Sequence, residues 1–284
     1  MAIDPTEVTI VVPVDAPMRD QWAAARADIK ATWRERRIWT LAALISVGNR
    51  YRRTILGPWW LTLSTVFFVF GLSFLRVGLG GGDLKNAVPY VGLGFIIFGL
   101  IAGGINVGSS TYVQAGAQLS TSQRPYSTYP MQGNAVQFID FLHDAVVIIV
   151  IALFFSIPFT LAWGLSVLAT FLIVASSIGV GLWLGPLAAR FRDVGPLVSM
   201  VMRLMFFLTP IFWSIDQVTT NDRAWLAWWN PLTYQLLAFR DPILGTSHGL
   251  APYVVTTLLA VGNLALGIVV FTKSRARIPY WVAE

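Results

Sequence analysis

The sequence contains no cysteine, and only 12% of its 284 residues are charged. The first absence excludes a disulfide framework, a thiolate metal site and a cysteine nucleophile. The charged share is about half that of an ordinary soluble domain, which carries about 25%. That is too little to cover the polar surface a soluble globule of this length exposes. Histidine is nearly missing too, since His143 and His248 alone make no histidine-rich metal centre. No glycine is followed by lysine, so there is no G-x-x-x-x-G-K-[ST] loop to cradle a nucleotide, and neither H-E-x-x-H nor G-x-S-x-G occurs. No catalytic or metal site is expected. What is abundant is apolar, 56% of the residues, and it is arranged in long runs, as in a chain that crosses a membrane several times.

A membrane helix needs ~20 mostly apolar residues, because each adds about 1.5 Å against a hydrocarbon core of roughly 30 Å. Such runs occupy residues 57–75 and 88–107. Residues 145–189 carry no charge at all; as one helix they would reach about 67 Å, twice what a crossing needs. They must fold back, and Ser156, Pro158, Trp163 and Gly164 mark the tip between spans at 138–157 and 165–189. Spans at 194–213 and 250–272 complete a predicted six, giving an all-α membrane protein. With the N-terminus inside, the inner segments hold fifteen Lys and Arg and the outer segments four. This asymmetry puts both termini in the cytoplasm.

No signal peptide is expected, because the first 20 residues carry Asp4, Glu7, Asp15 and Asp20. Residues 1–29 read as a flexible cytoplasmic tail with at most one short strand at 8–12, and 273–284 as a second cytoplasmic tail. Residues 30–56 have the pattern of an amphipathic helix. Ile38, Leu41, Ala42 and Ile45 recur at helical spacing, flanked by Arg34, Arg36 and Arg37 and by Arg50, Arg52 and Arg53. The pattern suits a helix lying in the anionic headgroup layer and running into Trp59 and Trp60 as interface anchors. A cytosolic helix with a solvated basic face is the plainer alternative.

Four constellations bear on function. Asp140, His143 and Asp144 share a helix face and could form a proton or metal site; they could equally be acids favoured by the dipole at the start of the third span. Arg203 falls halfway along the fifth span, where a cation costs ~2.5–3.5 kcal/mol unless it faces water or a partner. It either lines a pore or ties helices together. Phe67, Phe70 and Phe74 line the first span, with Phe68 beside them, and Phe206, Phe207, Phe212 and Trp213 crowd the end of the fifth. These rings face lipid or pack the bundle, or they line a passage whose faces let a sugar polymer slide. In the last outer segment, Trp225, Trp228 and Trp229 are followed by the breaker Asn230-Pro231 and a second apolar run at 232–239. Neither half spans a bilayer, so two short re-entrant helices or two surface helices are expected. Small residues four apart, Gly99/Gly103, Gly104/Gly108 and Ser177/Gly181/Gly185, favour close helix packing or dimerisation.

In this order the motifs become familiar. Residues 50–60 (RYRRTILGPWW), 189–194 (ARFRDV), 209–213 (TPIFW) and Asn230-Pro231 through Phe239-Arg240 resemble the membrane subunit of type-2 ABC exporters of lipid-linked polysaccharide, the O-antigen and teichoic-acid export permeases. The resemblance covers the chain from about Lys30 onward and leaves out the first 29 residues. It implies a permease in the bacterial inner or plasma membrane, made of two copies of this chain with two copies of a separate nucleotide-binding ATPase that holds ATP and Mg. It implies no cofactor in this chain and no nucleic-acid partner. The cargo would be a polyprenyl-diphosphate-linked polysaccharide; the excess of Arg over Lys, 17 to 3, hints at a GC-rich genome and adds a cell-wall galactan to the candidates.

On that reading Arg50, Arg52 and Arg53 meet the lipid diphosphate by charge-assisted hydrogen bonds, though a positive-inside anchor would look the same. Phe67, Phe70, Phe74, Arg203, Phe206 and Phe207 line the channel, and Trp225, Trp228, Trp229, Asn230 and Pro231 shape the external gate. Arg124, Tyr126, Tyr129, Arg190, Arg192 and Asp193 dock on the ATPase. Rival readings are an ABC permease for a small hydrophobic drug or lipid, a membrane enzyme acting on lipid-linked sugars through Asp140, His143 and Asp144, and an ion-coupled carrier.

Overall fold

The computed structural model describes residues 13, 16–57, 59–80, 82–121, 124–215 and 225–283, and the regular structure among them is helical. The expected strand at 8–12 lies outside the described residues. In chain order the helices are α1 (Met18–Arg34), α2 (Arg36–Arg50), α3 (Trp59–Gly78), α4 (Leu84–Gln114), the short α5 (Gly116–Thr121), α6 (Thr128–Phe154), α7 (Trp163–Arg190) and α8 (Val194–Leu208). A single turn α9 (Trp225–Trp228), α10 (Pro231–Leu244) and α11 (Ala251–Ser274) follow. A 3₁₀ turn at Arg275–Arg277 then leads to α12 (Ile278–Ala283).

Among the described residues, five segments are long and apolar enough to cross a membrane: α3, α4, α6, α7, and α11 with its continuation to Ala283. Their antiparallel order defines two ends. One, the basic end, gathers α2, Arg124, residues 190–193 and residues 275–283; the other gathers the tips at 79–80, 155–162 and 245–250. The fifth expected span, 194–213, is helical only as far as Leu208. At fifteen residues α8 reaches about 22 Å. It stops because Thr209 is extended (φ −90°, ψ 138°), the conformation a following proline forces, here Pro210.

Hydropathy located the apolar middle of each helix and missed the polar turns that extend it. α6 begins ten residues before the expected start at 138. Asp140, His143 and Asp144 therefore sit more than three turns inside it, and the helix-start account of their charge fails. Residues 18–29, read as part of a flexible tail, are helical: the Ala-rich stretch around Ala23–Ala25 favours helix, and Ala24, Ala25 and Asp28 are buried. The amphipathic segment is broken at Glu35 and ends at Arg50. Along α2, Ala43 and Val47 are buried while Ile38, Leu41, Leu44 and Ile45 stay exposed.

α4 and α7 form the middle of the bundle. In its most apolar stretch α4 is 67% buried, against 17% for α3. The two central helices meet through small residues: a Cβ on Gly108 would lie 3.0 Å from the Gly181 backbone, and one on Gly185 would lie 2.9 Å from the Tyr112 ring. The four-residue spacing at Gly104/Gly108 and Ser177/Gly181/Gly185 thus serves packing inside one chain, whereas Gly99 has nothing within 4 Å. In the segment between α8 and α11, α10 is buried along most of its length. Asn230 starts it, its Oδ1 accepting from Leu232 N at 3.0 Å with Pro231 in the first turn, and Gly245 at φ 70° ends it.

Candidate functional site

Four groups of candidate residues come together, and each is built from more than one part of the chain. At the basic end, Arg50 closes α2 and donates from Nη1 to Asp140 Oδ2 on α6 at 2.7 Å. Partial burial weakens the Arg50 charge, but the hydrogen bond and the negative charge of Asp140 outweigh it, so its pKa lies above the ordinary arginine value. Arg52 and Arg53 lie in the turn that follows, exposed and without an ion pair among the described residues. Arg53 takes φ 75°, which swings the chain toward Trp59 and Trp60. Those two rings are exposed, beside fully exposed Ile55. Guanidinium groups and bare apolar surface alternate within ten residues, the arrangement of a membrane interface.

The other members of the α6 trio are also committed to packing. Thr65 Oγ1 donates to Asp144 Oδ1 at 2.8 Å, and Thr62 Oγ1 donates to His143 O at 3.2 Å. Asp140, His143 and Asp144 therefore tie α2 and α3 to α6. Among the described residues no His and acid cluster of three or more could hold a metal.

Along the membrane, α3, α4 and α8 share an aromatic set. Phe68 stacks on Phe95 at 5.6 Å, and Phe206 packs edge-on against both Phe95 (6.2 Å) and Phe98 (5.6 Å). Phe207 and Phe212 adjoin Phe206. Phe67, Phe70, Phe74 and Phe207 point outward from this set and are exposed. No residue of α8 is buried, and Arg203 is exposed, donating from Nε to Ser199 O at 3.2 Å. Arg203 and Phe207, four residues apart, thus share the uncovered face of α8. Phe95 and Phe98 were not singled out from sequence, although their i, i+3 spacing on the second apolar run was the signal.

Beyond α8 the TPIFW turn is fixed by side chains from four places. Arg240, 1% exposed, donates to Pro210 O at 2.7 Å and to the Tyr90 hydroxyl at 2.9 Å. Arg76 donates to Phe212 O, and Tyr90 OH to Trp213 O, both at 3.1 Å. The two guanidinium groups lie over the Tyr90 ring at 3.7 and 4.1 Å, a cation–π arrangement. Asn230 Nδ2 donates to Thr209 Oγ1 at 2.8 Å. Of the gate candidates, Asn230 and Pro231 build this corner and Trp228 packs on Tyr234 at 5.6 Å, while Trp225 and Trp229 are exposed. Tyr90 and Arg76 were missed; a charge at the end of an apolar run was the available signal.

Of the docking candidates at the basic end, Arg190, Tyr126 and Tyr129 gather around α12. Arg190 lies over the Trp281 ring at 5.7 Å, and Trp281 packs with the cluster that holds Tyr126, Tyr129 and Tyr112. Arg192 and Asp193 are exposed and Arg124 is half-buried. Asp28, from α1, receives the Tyr126 and Ser127 amides at 3.0 and 2.9 Å, the Ser127 hydroxyl at 2.7 Å and Arg275 Nε at 2.8 Å. Burial pushes the Tyr126 hydroxyl up, with Arg275 opposing and the charges of Asp28, Tyr129 and Tyr280 adding. Asp28, Ser127 and Arg275 carried no sequence signal, being 99 and 148 residues apart along the chain.

The chain matches the ABC-2 type transporter family over residues 37–244. Two curated relatives, each an O-antigen export system permease protein RfbA of Klebsiella pneumoniae, are 22% and 21% identical over 233 residues, covering 80% of this chain and 88% of the relative. The matched region takes in α2, the aromatic face and the turn held by Arg240, so the chain belongs to the ABC-2 type transporter family of membrane proteins.

Proposed function

We propose that the chain is the membrane-spanning subunit of an ATP-driven exporter that moves a polyprenyl-diphosphate-linked polysaccharide, of O-antigen, teichoic-acid or cell-wall galactan type, across the bacterial inner membrane. Two copies work with two copies of a separate ATPase that binds ATP and Mg. α8 serves as a sixth crossing, extended by the Thr209–Trp213 turn, with α9 and α10 re-entering from the outer side and both termini cytoplasmic. The observation that carries the reading is the face of α3 and α8. A mid-helix cation facing lipid is unfavourable by ~2.5–3.5 kcal/mol, so Arg203 and the neighbouring exposed rings belong against a second copy around a wet path. Aromatic faces there offer a sugar polymer contact without fixed register. The relatives named for O-antigen export support this cargo.

Arg52 and Arg53 contribute free cations at headgroup depth for the diphosphate, and residues 118–132 with 190–193 receive the ATPase. Replacing both arginines, Arg52→Ala with Arg53→Ala, is expected to cut export of the lipid-linked polymer severalfold, read as its accumulation on the cytoplasmic leaflet, with the amount of inserted protein unchanged. Normal polymer export by that pair removes the diphosphate assignment. Transport of a small amphiphile by the reconstituted permease and ATPase, with no polymer moved, overturns the cargo.

A further inference from the structure

Arg50 differs from Arg52 and Arg53 in what it touches. Its charge is met at 2.7 Å by Asp140, which removes it as a free cation for a phosphate. It also lines a cleft of about 260 Å³ between α2, α4 and α6, large beside the ~30 Å³ share of one water. Apart from Arg50 the polar lining is neutral: Ser46, Ser110, Thr111, Gln114, Gln118, Tyr129 and Gln132. The Ser46, Ser110 and Thr111 hydroxyls donate back to Ala42 O, Asn106 O and Val107 O, leaving their lone pairs to accept from a ligand. Gln114 Nε2 donates to Ser110 Oγ, and the Gln132 amide, with two donors and an acceptor, makes no hydrogen bond among the described residues.

Acceptor hydroxyls, a free amide and a guanidinium–carboxylate pair without net charge match a polyhydroxyl ring rather than a second anion. We infer that this cleft takes the first sugar of the lipid-linked glycan, the ring attached to the diphosphate, and so distinguishes loaded lipid from bare lipid diphosphate. The inference rests on the diphosphate reading, which places the phosphates at Arg52 and Arg53, two and three residues from the mouth of the cleft.

The test uses the full chain in lipid nanodiscs with two probes, undecaprenyl diphosphate and undecaprenyl diphosphate carrying one N-acetylglucosamine, in competition read by native mass spectrometry. The unmodified chain is expected to prefer the sugar-bearing probe by about tenfold, the worth of one or two neutral hydrogen bonds. Gln114→Leu with Gln132→Leu is expected to abolish the preference with affinity for the bare probe unchanged, and Gln132→Asn, which keeps an amide, to retain it. A preference that survives the double leucine variant, or none in the unmodified chain, overturns the cleft assignment. Arg52→Ala with Arg53→Ala is expected to weaken both probes alike at a constant ratio. If that variant instead binds both normally with the ratio intact, the diphosphate reading fails and the sugar site stands.

Discussion

Asp28 has no exposed side-chain surface, and both of its oxygens are used: Oδ1 by Ser127, Oδ2 by Tyr126 and Arg275. The four hydrogen bonds join α1 to the two residues just before α6 and to Arg275 after α11. Asparagine keeps the shape but turns one acceptor into a donor facing other donors, and takes away the carboxylate charge that Arg275 Nε meets at 2.8 Å. Breaking a buried pair in this way destabilises by about 3–5 kcal/mol. Asp28→Asn is therefore expected to lower the thermal midpoint of the detergent-solubilised protein clearly, measured by intrinsic fluorescence. An unchanged midpoint would show that the charge carries no stability. Arg240 illustrates the opposite kind of residue, a buried guanidinium with no carboxylate among the described residues. The Pro210 carbonyl and the hydroxyl and ring of Tyr90 satisfy it, which its planar fork permits and a lysine would not.

At the scale of elements, the contact between α4 and α7 is a steric matter. Gly108 meets backbone, and backbone cannot rotate aside, so Gly108→Ala is expected to destabilise by about 1–3 kcal/mol through overpacking. Gly99 lies on the same helix with open space around it, and Gly99→Ala is expected to stabilise by up to about 1 kcal/mol, because glycine is the poorer helix former. Paired thermal unfolding curves check both, and equal behaviour of the two would contradict the packing. The glycine spacing was readable in the sequence, but not which surface it served. The same limit recurs elsewhere. Helix interiors were legible because the apolar runs are long, whereas the ends of α4 and α6 were not, since polar residues such as those at 128–137 extend a helix without adding hydropathy. The aromatic stripe of α3 was visible from its period; its partners Phe95 and Phe98 became significant only once α8 lay across α4. The Asp28 and Arg240 networks were invisible, because long-range pairing leaves no local pattern.

At the scale of the whole molecule, the absence of cysteine provides a clean probe. In the otherwise unchanged chain, Arg203→Cys is expected to react with a water-soluble maleimide in membranes and to cross-link two copies with a short bis-maleimide, while Val261→Cys, exposed on α11, stays unreactive as a lipid-facing control. An unreactive position 203 would place α8 against lipid and remove the wet path between copies. The knot at Asp28 acts on the same scale, in the order of biosynthesis. Arg275 comes only after α3, α4, α6, α7 and Ala251–Ser274 of α11 in chain order, so a ribosome must release all of these before the last thread of the knot can be tied. Until then, Tyr126 and Ser127 have only part of their anchor, and the surface they shape is unfinished. A nascent chain cut before residue 275 is thus expected to insert yet fail to capture the ATPase proposed as its partner, seen as loss of co-purification at normal membrane abundance.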